Sequence, residues 1–500
     1  MKVRTILLLL AIILINCNGP VESRSAFWAP QNLFDIITNK TIDIKNYVKD
    51  KSDNIKRIYN DNVKTKISDY FASGKDKVKS TFRKYISTAE ETNNKIFDTI
   101  APEDIKVKCK DNNPIIHMTT PQLIALYGYT AESHTVVTDD GYILTIHRIP
   151  YNKKTSDKTI PRKTVLLHHG LLGSSADWII PGPEKGLAYI LSDAGYDVWL
   201  ANVRGNTYSK AHTTYSIDSF EFWNFTWHDV SQHDLPAVIN HILDVKGWDS
   251  KINYVGHSMG TTILFALLST QHHYNKLLRA GYALAPVAYM SEIESPIKLL
   301  ARYANNIEYL MKLLGANEFL PQNSVLRWLS KHACEINHYE EAICENSLFI
   351  LCGFDNQQFN RTLLPMILAH TPAGASTKTL VHYAQEIRNN GKFQQFDYGS
   401  KENMKVYGSE TPPIYPINNI TLPIALLSAQ NDWLAGSGDV EKLYGQLVNP
   451  IEHYVVPLKE FNHIDFLWAI DANKLVELWI SMKGSCVIIS VGKRGDNLIK

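Results

Sequence analysis

From Thr120 onward, short runs of consecutive apolar residues alternate with stretches whose apolar positions recur every three or four residues, the order of a mostly parallel sheet with helices between its strands. His134–Val137 and Tyr142–Arg148 flank Asp139-Asp140-Gly141, residue types that suit a hairpin turn, and Thr120-Pro121 has the form of a helix cap with proline in the first turn. Val165–His168 and Val198–Ala201 predict buried strands, with the helical stretch Leu187–Leu191 between them. Asp234-Leu235-Pro236 opens a helix that Gly247 stops; Ile252–Val255 follows as a strand and Thr261–Leu268 as a helix. Tyr282–Ala285, Pro423–Ser428 and Tyr454–Pro457 complete the strands. Between Pro286 and Asn418 the patterns are helical and no run clearly belongs in the sheet. The fold class expected is α/β, with a cap or lid insertion at 287–418 dividing a core of 111–286 and 419–483.

The amino terminus has a different pattern. Lys2 and Arg4 precede an unbroken apolar run from Ile6 to Ile15, and Val21-Glu22-Ser23 offers small residues for cleavage, so 1–23 is expected to be a secretory signal peptide. The run is shorter than the roughly 20 apolar residues of a membrane-spanning helix, and no later run is long enough. Between Ile44 and Ile86 apolar residues recur at helical spacing, several pairs falling eleven apart (Ile44 with Ile55, Ile67 with Val78, Phe71 with Phe82) and lysines crowding between them. Eleven residues are close to three turns of helix, so 24–110 is expected to form one or two basic amphipathic helices lying on a lipid surface, or else an accessory helix on the catalytic domain.

Charge sharpens this division. The net charge is +1, but Arg24–Lys110 carries 18 basic against 12 acidic residues, while the chain from Asp111 onward carries 31 against 37. Near-neutrality gives no electrostatic reason to expect a nucleic-acid partner. With 45% hydrophobic and 20% charged residues, the chain can bury a large core, which excludes disordered and collagenous classes. Without Cys17 five cysteines remain (Cys109, Cys334, Cys344, Cys352, Cys486), an odd number for an oxidising compartment. Cys334 and Cys344 bracket a short polar stretch and are the expected disulfide; Cys352 lies in an apolar run, as buried free thiols do. Glycosylation sequons at Asn39, Asn224, Asn360 and Asn419 fit the same compartment.

The candidate chemistry begins at Gly256-His257-Ser258-Met259-Gly260, between a strand and a helix. A serine hydroxyl is a poor nucleophile unless a tight turn presents it to a base, and small residues on either side permit that turn. Asp432 and His463 follow in the loops after Pro423–Ser428 and Tyr454–Pro457, and can supply the carboxylate and the base. Asp439 and Asp465 are the rival carboxylates, the first farther from its strand and the second placed to cap the next helix. His169-Gly170-Leu171-Leu172-Gly173 follows Val165–His168, so the Leu171 and Met259 amides are the candidate oxyanion donors. His257 is expected to pack or hydrogen-bond beside the nucleophile. The pairs His168-His169 and His272-His273 are expected to point apart, without metal-ligand spacing, and Gly436-Ser437-Gly438 lacks the third glycine of a dinucleotide site. No metal or organic cofactor is expected.

Five blocks in order, Gly256–Thr262, His169–Ser174, Gly205-Asn206-Thr207-Tyr208-Ser209, Leu351-Cys352-Gly353-Phe354-Asp355 and Phe461–Phe466, resemble the acid lipases, the family of gastric, lysosomal and invertebrate digestive lipases, from about Met118 to Met482. The resemblance implies an α/β-hydrolase fold with a helical cap, and Ser258, Asp432 and His463 as nucleophile, acid and base, with Leu171 and Met259 as oxyanion donors. It also implies a Cys334–Cys344 cap disulfide, a free thiol at Cys352, and neutral-lipid esters at a lipid–water interface as substrate, in a secreted or lysosomal protein. Both ends depart from it: 24–110 has no counterpart, and 484–500 replaces the usual ending. A soluble carboxylesterase on short esters and a non-catalytic lipid-binding protein on the same fold are the rival functions.

Overall fold

The computed structural model describes residues 114–151, 161–303, 306, 317–320, 351–353, 355 and 357–477. The expected signal peptide, the basic extension with Asn39 and Cys109, the pair Cys334 and Cys344, and the tail 484–500 with Cys486 lie outside the described residues.

The described strands are β1 (Glu132–Val137), β2 (Tyr142–Ile149), β3 (Thr164–His168), β4 (Asp197–Leu200), β5 (Ala211–His212), β6 (Ile252–His257), β7 (Leu278–Leu284), β8 (Glu318–Phe319), β9 (Ala375–Ser376), β10 (Ile424–Ser428) and β11 (Pro450–Val455). The central sheet runs β1-β2-β4-β3-β6-β7-β10-β11, with β5 added beside β2. β1, β2 and β5 pair antiparallel; from β4 to β11 every pairing is parallel. Strands β3, β4, β6 and β10 are buried at every residue, because a parallel strand is covered on both faces.

Alternation then assigns each residue to one of two cores. Leu166, Trp199, Tyr254 and Leu426 pack on one face, under the helices α3 (Leu235–Lys246) and α4 (Met259–Thr270). Val165, Leu167, Val198, Leu200, Val255 and Leu427 pack on the other, under α1 (Thr120–Leu126) and α2 (Leu187–Asp193). Among the described residues between β7 and β10, none joins the central sheet: β8 and β9 form a separate ribbon, followed by α5 (Thr377–Arg388). The chain returns to the core through β10, α6 (Ser437–Gln446) and β11.

The parallel register positions the chemistry. It aligns His168 with Gly256, Gly256 with Ala283, Leu284 with Leu427, and Ser428 with Val455, so the loops after β3, β6, β7, β10 and β11 all leave one edge of the sheet.

Several boundaries differ from the pattern-based expectation. The last strand spans Pro450–Val455 rather than Tyr454–Pro457; as an edge strand it is only partly covered, so its polar first half hides it from a reading based on apolar runs. β7 begins at Leu278 and stops at Leu284, with Ala285 already at φ +47°. Thr119, not Thr120, caps α1, its backbone amide donating to the Gln122 side-chain oxygen at 2.9 Å.

Candidate active site

β6 runs straight into α4, and the junction is Ser258, at φ +53° and ψ −119°. A non-glycine residue there is strained by about 1–3 kcal/mol, which the surrounding structure must offset. Its neighbours explain how. The Ser258 amide donates to the Leu284 carbonyl at 3.0 Å, tying the turn to β7. A Cβ on Gly256 would fall 2.9 Å from the Gly260 carbonyl carbon, and one on Gly260 only 2.4 Å from the His168 carbonyl oxygen. Neither position has room for a side chain, because β3 and the turn are in backbone contact. Gly260→Ala should therefore destabilise the fold by about 1–3 kcal/mol and lower kcat on the order of a hundredfold through misplacement of Ser258, read by thermal unfolding and ester hydrolysis together. Wild-type kcat in that variant would show that the close approach does not set the geometry.

The half-buried Ser258 hydroxyl lies 2.8 Å from His463 Nε2, and His463 Nδ1 lies 2.9 and 2.8 Å from the two oxygens of Asp432. His463 and Asp432 are both buried, at 3% and 6% exposure, so their attraction is little weakened by water. Asp432 Oδ1 also accepts from the Leu434 and Ala435 amides at 2.9 and 2.8 Å, which fixes the carboxylate before any substrate arrives. With Nδ1–H donating to Asp432, Nε2 is left as acceptor for the serine proton.

Asp439 does not join this set. It sits in α6, where it accepts from the Ser291 hydroxyl and from the Glu292 amide at 2.8 Å, fastening the start of the segment after β7. Asp465 folds back to accept from the Asn462 amide at 2.7 Å at the head of the short helix Asp465–Trp468.

Leu171 and Met259 come together at the other side of Ser258. A Cβ on Gly170 would lie 3.0 Å from Ser258 Cβ, which measures how closely the β3 loop passes the serine. The loop is a tight turn closed by the Gly173 amide on the Gly170 carbonyl at 3.2 Å, with Leu172 at φ +62°. The Ala373 amide, in the segment leading to β9, donates to the Leu172 carbonyl at 2.7 Å and holds that conformation. His169 Nδ1 lies 2.8 Å from the Gly170 carbonyl, while its Nε2 accepts from the Val203 amide at 3.3 Å, so Nδ1 is the donor. Burial pushes His169 down to about 4, which keeps it neutral in this role. Among the described residues, neither the Leu171 nor the Met259 amide has a protein acceptor. Beside them is a cavity lined by Leu171, Val203, Phe225, Val230, Met259 and Thr379, mostly apolar in character.

The histidine next to the serine is His257. Its Nε2 lies 2.8 Å from the His463 carbonyl and donates to it; burial, then the neighbouring His463, pushes it down to about 3. It supports the base from behind. The expectation that His168 and His169 point apart is corrected: their rings stack with centroids 5.6 Å apart, because the strand ends at His168 and its alternation lapses. Cys352 is a free, buried thiol, and burial pushes it well above the ordinary range.

Metal-binding potential is confined, among the described residues, to Asp139, Asp140 and His233, whose ligand atoms lie within 4.8 Å of one another. Asp140 already carries the buried Arg204 guanidinium at 2.6 and 2.8 Å, and His233 pairs with Asp139, so the group reads as an ion-pair cluster. Of the sequons, Asn224 and Asn419 are exposed, Asn224 accepting from Lys378 at 2.9 Å, while Asn360 caps the turn Arg361–Leu363 through the Thr362 amide.

What pattern reasoning did not find is the framework around the triad. The Cys352 carbonyl accepts from the His463 and Trp433 amides at 3.4 and 3.5 Å, and Asn462 Nδ2 donates to the Gly353 carbonyl at 3.0 Å. Backbone acceptors carry no residue-type signal, so the sequence offered only the presence of the Cys352-Gly353 block.

The sequence matches a family model described as a partial alpha/beta-hydrolase lipase region over residues 120–182, and one described as the alpha/beta hydrolase fold over residues 163–470. It is 42% identical to the gastric triacylglycerol lipase of Mus musculus over 368 residues, 73% of this chain and 91% of that protein. It is 41% identical to Lipase 3 of Drosophila melanogaster over 350 residues, 70% of this chain and 88% of that protein. To the human lysosomal acid lipase/cholesteryl ester hydrolase it is 38% identical over 372 residues, 73% of this chain and 92% of that protein. The chain belongs to the acid lipase family of α/β hydrolases, a family of serine ester hydrolases.

Proposed function

We propose that this protein is a lipase hydrolysing the carboxylic esters of neutral lipids, triacylglycerols first and sterol esters in addition, through an acyl-enzyme on Ser258. The observation that carries the reading is the unbroken relay from Ser258 Oγ to His463 Nε2 and from His463 Nδ1 to Asp432, on a strained turn at the sheet edge. In the first half-reaction Ser258 Oγ bonds to the ester carbonyl carbon as its proton passes to His463 Nε2, and Asp432 stabilises the imidazolium. The charge on the carbonyl oxygen falls to the Leu171 and Met259 amides, a contribution of about 3–4 kcal/mol per donor in comparable sites. His463 returns the proton to the departing alcohol; water, deprotonated by the same ring, then releases the fatty acid and restores Ser258. Every step closes on these side chains and water.

The small cavity beside the two amides has a mostly apolar wall, which favours an ester's acyl group over a charged one, and the substrates' insolubility places the enzyme at a lipid–water interface. A secreted or lysosomal location is supported by the apolar run Ile6–Ile15 and by the exposed sequons at Asn224 and Asn419. Rates on a triacylglycerol emulsion and on a short-chain ester, each followed through its solubility limit, separate a lipase from a soluble esterase. Activity should climb once aggregates form. Saturation below the solubility limit, with no activity on the emulsion, would assign the protein to short soluble esters instead.

A further inference from the structure

The loop that carries Leu171 is held in place by another loop. β4 runs in parallel register with β3, Leu200 beside Leu167, so the chain after β4 leaves the sheet at the edge where Ser258 lies. There the block Gly205-Asn206-Thr207-Tyr208-Ser209, one of the five that carry the family resemblance, closes a tight turn. The Gly205 amide donates to the Ser209 carbonyl at 2.9 Å, and the Ser209 amide to the Asn206 carbonyl at 3.0 Å. Gly205 stands at φ +80°, and a Cβ there would fall 2.8 Å from the Trp223 ring and 2.9 Å from that of Phe225. The turn and the residues before it bury two amide side chains, Asn206 at 0% and Asn202 at 1% exposure, against the oxyanion loop.

Backbone amides fix the polarity of this contact, because an N–H can only donate. The Tyr208 amide donates to Asn206 Oδ1 at 3.0 Å, which leaves Asn206 Nδ2 as the donor lying 2.9 Å from Asn202 Oδ1 and 3.3 Å from His169 Nε2. Asn202 Oδ1 also takes the Ser175 amide at 2.8 Å, at the far end of the oxyanion loop. His169 Nε2 likewise receives the Val203 amide at 3.3 Å, so it is the acceptor and the ring proton sits on Nδ1, 2.8 Å from the Gly170 carbonyl. That carbonyl belongs to the same peptide unit as the Leu171 N–H. A trans peptide is planar, so a donor that pins its C=O also aims its N–H in the opposite direction. Thr207 adds a second hold: its hydroxyl donates to the Ala373 carbonyl at 3.1 Å, and the Ala373 amide grips Leu172.

We propose that Asn206, braced by Asn202, is a positioning residue for the oxyanion donor: it dictates the tautomer of His169, and His169 thereby pins the peptide plane that points the Leu171 amide at the reacting carbonyl. The inference rests on the acyl-transfer mechanism proposed above. With the proton on Nε2 instead, the Val203 amide and Asn206 Nδ2 would both face a hydrogen, and the Gly170 carbonyl would lose the imidazole donor. Polarity, and not bulk, is therefore what position 206 supplies.

The test compares wild type with Asn206→Asp, Asn202→Ala and Asn202→Asp. Asn206→Asp keeps the acceptor for the Tyr208 amide but sets an oxygen against His169 Nε2, where a donor is required. Asn202→Asp still accepts from the Ser175 amide and from Asn206. The readouts are kcat and KM on a soluble short-chain ester, and the inhibition constant of an alkyl trifluoromethyl ketone. Ser258 Oγ adds to the carbonyl carbon of that ketone, its proton passes to His463 Nε2, and the negative charge settles on the former carbonyl oxygen between the same two amides. Asn206→Asp should lower kcat by about 10- to 100-fold with KM little changed, and weaken the ketone by a similar factor, since the lost stabilisation belongs to the oxyanion. Asn202→Ala should lower kcat by about tenfold, and Asn202→Asp should restore most of that loss. Equal losses in the two aspartate variants, or a fall in kcat that leaves the ketone's affinity at the wild-type value, would make these residues merely structural and overturn the proposal. If the variants fail to fold, nitrogen NMR of His169 in the wild-type protein decides: a proton on Nδ1 is expected, and one on Nε2 overturns it. A wild type that the ketone does not inhibit, or a Ser258→Ala variant that still hydrolyses the ester, would instead bring down the mechanism, so the two failures are distinguishable.

Discussion

Ser258→Ala should retain the wild-type circular dichroism and thermal midpoint while losing ester hydrolysis by on the order of 10⁴- to 10⁶-fold. The size of the effect follows from what the substitution removes. Without Oγ there is no acyl-enzyme, and only substrate binding and the Leu171 and Met259 amides remain to favour direct attack by water. The fold should survive because the hydroxyl faces His463 at the half-exposed end of the turn, and the turn itself is held by backbone: the Ser258 amide on Leu284 and the contact of Gly260 with His168. Alanine also relieves nothing in φ, so the strain at +53° stays. A variant keeping more than about a tenth of wild-type kcat would place the nucleophile elsewhere.

The carboxylates allow a sharper comparison. Asp432→Asn should lower kcat by about 10⁴-fold, because an amide facing His463 Nδ1 favours the wrong tautomer and cannot stabilise the imidazolium. Asp439→Asn should leave kcat close to wild type, its carboxylate being engaged with Ser291 and Glu292 instead of with the base. Parallel steady-state kinetics on the two variants check this, and the reverse ranking would show that the relay runs through the other acid.

How much of this was legible beforehand depends on what kind of signal each feature leaves. Buried parallel strands such as β3, β4 and β10 announce themselves as continuous apolar runs, and Gly256 and Gly260 around Ser258 mark a turn that has no room for a Cβ. Asp432 was distinguishable from Asp439 because loop and helix positions differ in sequence. β11 starts several residues before its apolar pattern, since an edge strand needs apolar residues only where it is covered. His168 stacks on His169 because strand alternation ends at His168, a boundary that residue types do not mark. The hold of Ala373 on Leu172 is out of reach for a different reason: it is a backbone bond across an insertion, which residue types do not encode.

The central claim, that Ser258 becomes acylated, is tested most directly by covalent capture. Treating the full-length protein with a fluorophosphonate and mapping the adduct by peptide mass should find one equivalent bound at Ser258, hydrolysis falling in proportion to labelling, and no adduct in Ser258→Ala. An adduct on another residue, or hydrolysis that persists after Ser258 is fully labelled, would contradict it.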